Sequence, residues 1–185
     1  MKIMGTLIAA SVLTLAAIPS AQAASITLGT PSYGGSGCPA GTASTTVSPD
    51  GKELSILFDR FVARQGRKGC ALSSPVNVPQ GFQVAIYTMD YRGYVGPRTV
   101  GNFTTDYFFA GQQSTARTKT FRGETNYFSR DSILTMQNVW SRCGDSLNMR
   151  VNVGMAATGP NDATVDSLDA AAGLIYHLQY RTCPV

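Results

Sequence analysis

An all-β fold, an antiparallel two-sheet β-sandwich with jelly-roll-like connectivity among its options, is predicted by three observations. Apolar and polar residues alternate with period two over several segments, most clearly Leu147, Met149, Val151, Val153 and Met155 against Asn148, Arg150, Asn152 and Gly154. Turn signals recur at short intervals: Ser48-Pro49-Asp50-Gly51, Val78-Pro79-Gln80-Gly81, Val95-Gly96-Pro97 and Gly159-Pro160-Asn161-Asp162. Helical periodicity is nearly absent, and Asp166–Ala172 is the one short helical candidate. Many short strands joined by such turns make two packed antiparallel sheets.

The elements follow in order. Ala43–Val47 and Glu53–Phe58 flank the Pro-Asp-Gly turn and form a hairpin: proline presets φ, aspartate caps the turn and glycine accepts positive φ. Gln65-Gly66-Arg67-Lys68-Gly69 reads as a loop, and further strands are predicted at Phe82–Tyr91, Phe103–Phe109, Arg117–Phe121 and Ser132–Val139. Arg122–Arg130 reads as a covering loop. In the Leu147–Met155 strand one face is buried and the other wet. The final strand sets Leu174, Tyr176, Leu178 and Tyr180 on one face and Ile175, His177, Gln179 and Arg181 on the other.

Residues 1–23 read as a secretory signal peptide. Lys2 precedes an apolar run to Ile18, Pro19-Ser20 break it, and Ala21-Gln22-Ala23 provides the small-x-small cleavage pattern. The rest, 24–185, fits one secreted domain, extracellular or periplasmic in a Gram-negative host. No later stretch approaches the roughly 20 apolar residues of a membrane span. Neither a lipoprotein cysteine at the cleavage point nor an apolar C-terminal tail is present, so a soluble, released product is expected. The chain has 15 Lys+Arg against 11 Asp+Glu, a formal net charge of +4 to which Lys2 contributes. The arginines are scattered, which argues against a nucleic-acid partner. Arg60, Arg64, Arg67 and Lys68 form one local cluster, read as a solvated basic loop or a weak docking site for an anionic polymer.

All four cysteines lie beyond the leader, in an oxidising compartment. Four cysteines allow three pairings. Hairpin geometry selects Cys38–Cys70, since Cys38 lies opposite Phe61–Val62 around the Pro49-Asp50 turn and Cys70 reaches that end after the Gln65–Gly69 loop. Pairing of Leu147–Met155 with Leu174–Arg181 would likewise bring Cys143 and Cys183 to one end. Each such staple contributes on the order of 3–4 kcal/mol in the chain-entropy model. Zinc sites need close Cys/His pairs, and these cysteines stand far apart with one histidine elsewhere, so no metal or cofactor is expected.

Gly35-Ser36-Gly37-Cys38-Pro39, Val78-Pro79-Gln80-Gly81-Phe82, Asp90-Tyr91-Arg92-Gly93-Tyr94, Trp140-Ser141-Arg142-Cys143-Gly144 and Tyr176-His177-Leu178-Gln179-Tyr180-Arg181-Thr182-Cys183 occur in that order. Together this ordered set resembles the domain-of-unknown-function family DUF4360, small secreted proteins of bacteria and filamentous fungi. The resemblance runs from about Ile26 to Cys183 and implies a secreted, cysteine-paired, β-rich domain. It carries no activity and no catalytic residues.

No catalytic constellation is legible. His177, the single histidine, has no nucleophile motif such as G-x-S-x-G to serve. Glu53, Glu124 and the aspartates show no spacing that singles out a glycosidase pair. Asn161, Asp162, Asp166 and Asp169 crowd one loop without EF-hand spacing, which favours turn capping over calcium. Aromatic residues are more informative. Tyr107-Phe108-Phe109 sends neighbouring rings to opposite faces of a strand, so some ring points outward or is covered by a loop. The expected function is a non-enzymatic extracellular binding or surface-interaction module. Its partner would be polysaccharide or a cell-surface component, met through Tyr91, Tyr94, Tyr107 and Trp140. The alternative is a secreted carboxylate-dependent hydrolase acting on polysaccharide.

Overall fold

The computed structural model describes residues 26–132, 140–166 and 174–184. Among the described residues there are eleven strands: β1 (Thr27–Leu28), β2 (Ser32–Gly34), β3 (Ala43–Val47), β4 (Glu53–Phe58), β5 (Val62–Asn77), β6 (Phe82–Val95), β7 (Val100–Phe109), β8 (Thr115–Arg122), β9 (Thr125–Ser132), β10 (Leu147–Thr164) and β11 (Leu174–Thr182). Every pairing is antiparallel, and the described residues contain no helix. The predicted leader, the helical candidate after Asp166 and the predicted strand after Ser132 lie outside the described residues.

The strands form two blankets. The first runs β8-β7-β10-β5, with β1 and β2 on the outer edge of β5. The second runs β9-β6-β11-β4-β3. The blankets join through the pair Ala163 and Val95, where the end of β10 meets the end of β6. Alternation on each strand turns one face inward. Met149, Val151, Val153 and Met155 of β10 meet Leu54, Ile56 and Phe58 of β4 and Met89 and Tyr91 of β6 in one core. Tyr91 stacks on Phe103 across the blankets, with ring centroids 4.3 Å apart.

The β3–β4 hairpin forms as the sequence predicts. Gly51 adopts φ 69°, and Ser48 Oγ donates to Asp50 Oδ1 at 2.6 Å. The Val78–Gly81 turn joins β5 to β6, closed by Phe82 N–H donating to the Pro79 carbonyl. Four sequence expectations need correction. Gln65–Gly69 is not a loop but part of β5, because Gln65 (φ 44°) and Gly66 (φ 155°) bulge the strand without reversing it. The Gly159–Asp162 turn signal is likewise absorbed in β10, as a register shift between Ala157 and Asp162. Arg122–Arg130 is a Gly123 turn followed by β9, not a covering loop.

Strand pairing around the second disulfide also departs from expectation. Both disulfides form as expected, Cys38–Cys70 and Cys143–Cys183. Yet β10 pairs with β5 and β7, while β11 pairs with β6 and β4. Cys143 and Cys183 meet by another route. Ser141 and Gly144 donate backbone N–H bonds to Val84 and Phe82 on one edge of β6, and Cys183 N–H donates to Gly81. The bridge therefore clamps the start of β6 between β11 and the 140–144 segment.

Candidate functional site

Alternation on β7 places Tyr107 and Phe109 in the core and leaves Phe108 on the outer face of the first blanket. Phe108 is half-buried, and its cross-strand neighbour on β10 is Arg150. Arg150 in turn faces Ser73 of β5, and Ser73 faces Ser32 of β2. These four strands bound an open cleft of about 350 Å³, lined by Ser32, Tyr33, Ser73, Phe108, Arg150 and Asn152 among others. A second opening of about 240 Å³ continues it along the same strands, past Pro75, Asn77 and Asn148. In the other direction the floor is small: Ala71, then Gly69 opposite Gly154, then Arg67 opposite Ala156.

The face is polar and mostly self-satisfied beside this groove. Thr120 Oγ1 donates to Asn102 Oδ1 at 2.8 Å, Thr104 and Thr118 hydroxyls lie 3.4 Å apart, and Asn152 Nδ2 donates to Asp106 Oδ2 at 3.4 Å. Arg150 and Arg67, by contrast, have no ion-pair or hydrogen-bond partner among the described residues, and both are exposed. The arrangement is a shallow trough with one outward ring, hydrogen-bonding side chains and free cations. It can hold an extended polymer.

The aromatic residues singled out from the sequence are not brought together on this face. Tyr91 and Tyr107 are 1% and 4% exposed and belong to the core. They are removed from the expected binding surface because even-numbered neighbours, not they, take the outward positions. Tyr94 is half-buried in β6, its N–H donating to Thr164 Oγ1 at 3.0 Å. Trp140 bridges to Ala85 and carries the Arg181 guanidinium 4.1 Å from its ring centroid. Phe128 and Tyr180 are exposed, each with a cation near one ring face, Arg92 and Lys52 respectively. The ring in the cleft, Phe108, was not singled out from the sequence: alternation over Tyr107-Phe108-Phe109 puts it on the face opposite Tyr107 and Phe109, and only packing decides that its face is the outer one.

Several carboxylates are engaged away from this cleft. Inside the sandwich, at the β8 and β9 edges, buried Asp131 pairs with Lys119, and Tyr91 donates to it at 3.4 Å. Arg117 stands 3.9 Å from the same carboxylate. Burial pushes the Tyr107 hydroxyl up to about 12 and raises Tyr91 and Tyr127 as well. On the outer side of the second blanket, Arg130 grips Asp90 with two bonds of 2.6 Å. Arg64 grips Asp162 in the same forked way, and that hydrogen bonding holds the Asp162 carboxyl below its usual value. Asp162 is thus tied to an arginine, while Asp169 of the crowded loop lies outside the described residues. No group of three metal-ligating side chains occurs among the described residues. His177 sits on β11 opposite Thr88 and Glu53 by backbone register.

Comparison with known proteins gives three findings. Residues 24–183 match the family model described as Domain of unknown function (DUF4360). An uncharacterized secreted protein of Arthroderma benhamiae (strain ATCC MYA-4681 / CBS 112371) is 34% identical over 169 residues, covering 82% of this chain and 69% of that protein. In shape the chain is similar to TmCBM61, solved in complex with beta-1,4-galactotriose, at a TM-score of 0.34 and 9% identity, covering 82% of this chain and 88% of the other. That likeness is too distant to bear on what this chain binds. The chain belongs to the DUF4360 family.

Proposed function

We propose that this member of the DUF4360 family is a secreted, non-enzymatic binding module that holds an extended polysaccharide along the outer face of β7, β10 and β5. Secretion is supported by the secreted relative and by two disulfides of extracellular type. The observation that carries the reading is Phe108, turned outward onto an open cleft beside Arg150, Asn152 and Ser73. An aromatic platform flanked by planar polar side chains suits a sugar, whose faces are apolar and whose edges are hydroxyls. The exposed rings of the other blanket each carry their own cation.

Retention on a panel of immobilised cell-wall polysaccharides tests the reading. The wild-type chain is expected to bind at least one, and Phe108→Ala to weaken that binding about tenfold. Near-ultraviolet circular dichroism should show the fold unchanged. Tyr94→Ala and Trp140→Ala should leave retention within about twofold; loss there instead would move the site to the second blanket. Release of soluble sugars that substitution of a carboxylate abolishes would overturn the module in favour of the hydrolase.

A further inference from the structure

Resting on that reading, we infer that the ligand is an acidic polysaccharide, and that Arg150 and Arg67 read its carboxylates at two points along the trough. Three arginines are committed to carboxylates: Arg64 to Asp162, Arg130 to Asp90, and Arg117 beside Asp131. Arg150 and Arg67 lack partners among the described residues. On the outward positions of β5, β7 and β10 the carboxylates are Asp106, which receives Asn152, and Asp162, which is neutralised by Arg64. Arg122 adds a cation at the β8 edge. The trough is therefore net positive.

The geometry fits a guanidinium fork for a carboxylate. The Arg67 guanidinium lies across Gly154, so close that a Cβ there would stand 2.7 Å from Nη2. A bare backbone thus forms the bed on which the planar group rests, leaving its edge open for two parallel bonds to one carboxylate. Arg150 is four residues from Gly154 on β10, about 13 Å at the strand rise. Between them the floor is Asn152, Ala71 and Gly69, short enough for a polymer to lie flat. That spacing decides between polyanions. A nucleic-acid strand carries a charge about every 3.4 Å and calls for a dense basic stripe. Two cations, one on Arg150 and one lying over Gly154 four residues further along β10, on a neutral floor match a chain whose acids are sparse.

The test compares polymers that differ only in charge. Polygalacturonate is set against its methyl-esterified form, and alginate and hyaluronate against their carboxyl-reduced forms, by affinity electrophoresis at low and high salt. At least one acidic form should bind roughly tenfold tighter than its neutral counterpart at low salt, and the gap should close at high salt. Arg150→Gln and Arg67→Gln should each cost roughly fivefold on the acidic form and leave the neutral form unchanged. Phe108→Ala should weaken both. Equal binding of charged and neutral forms, or a gap that survives both arginine variants, overturns the inference while the binding reading stands. Tighter binding of a single-stranded oligonucleotide overturns it in favour of nucleic acid. Failure to bind these polymers and every member of the neutral panel overturns the binding reading itself.

Discussion

Tyr107 shows how one residue changes meaning between sequence and structure. Its ring fills the core, and its hydroxyl is buried without a hydrogen-bond partner. A buried unpartnered hydroxyl is a cost, so Tyr107→Phe should be neutral or stabilising by up to about 1 kcal/mol at neutral pH in urea unfolding. The same hydroxyl governs alkaline behaviour. Its folded pKa of about 12 exceeds the ordinary 10.0, so above pH 10 the unfolded chain loses this proton while the folded chain retains it. Stability is therefore whole below pH 10 and falls as pH rises toward 12, by on the order of 2–3 kcal/mol for this group. Tyr107→Phe should remove that share of the alkaline decline. An unchanged slope in Tyr107→Phe would count against the assignment.

At the scale of elements, β6 and β9 are held in register by a glycine. Gly93 stands opposite Tyr127 in the inward row, and a Cβ on Gly93 would lie 2.2 Å from both the Tyr127 hydroxyl and the Thr164 carbonyl. The missing side chain lets Tyr127 lie across β6, donate to the Thr164 carbonyl at 2.6 Å and stack on Phe121 with centroids 4.0 Å apart. One ring thus connects β9, β8 and the end of β10. Gly93→Ala should push it out and lower stability by roughly 2–4 kcal/mol, read as a fall in the urea midpoint. Gly34→Ala on β2, where nothing lies within 4 Å of the added carbon, is the control with little expected change.

For the whole molecule, the corner where the blankets join is the point most dependent on conditions. The Arg64–Asp162 pair closes the ladder beyond the β10 bulge, one residue from the Ala163–Val95 bridge. The Asp162 carboxyl is lowered by Arg64, and the Asp50 carboxyl by its bonds from Ser48 and the Lys52 N–H. Lowered carboxylates contribute stability above their ordinary 3.8 and lose it as pH falls through the folded value. Stability attributable to them should stay level from neutrality to about pH 4 and decline below it. Asp162→Asn should shallow that acid slope slightly, since the pair is largely exposed and screened. An acid slope unchanged by the substitution would show the corner held by packing alone.

Local sequence was enough for the strand class, the β3–β4 hairpin, the Cys38–Cys70 staple and the inward and outward rows of β10, whereas Cys143–Cys183 forms although the β10–β11 pairing that suggested it does not. Each of the former is local: turn chemistry, period-two alternation or distance along the chain. Family membership was also legible, in ordered motifs spread across the domain. The tertiary structure alone decided which strands are neighbours. Period two says that Leu147–Met155 has a wet face, but not that β7 and β5 flank it while β11 lies in the other blanket. It could not show that Gln65-Gly66 would bulge instead of turning, because pairing with β10 overrides a sequence rich in glycine and charge. Of the aromatics expected at a binding surface, Tyr91 and Tyr107 fell inside. Phe108, Arg150 and Arg67 become one trough because non-local pairing sets three strands side by side, and spacing along the chain carries no record of that.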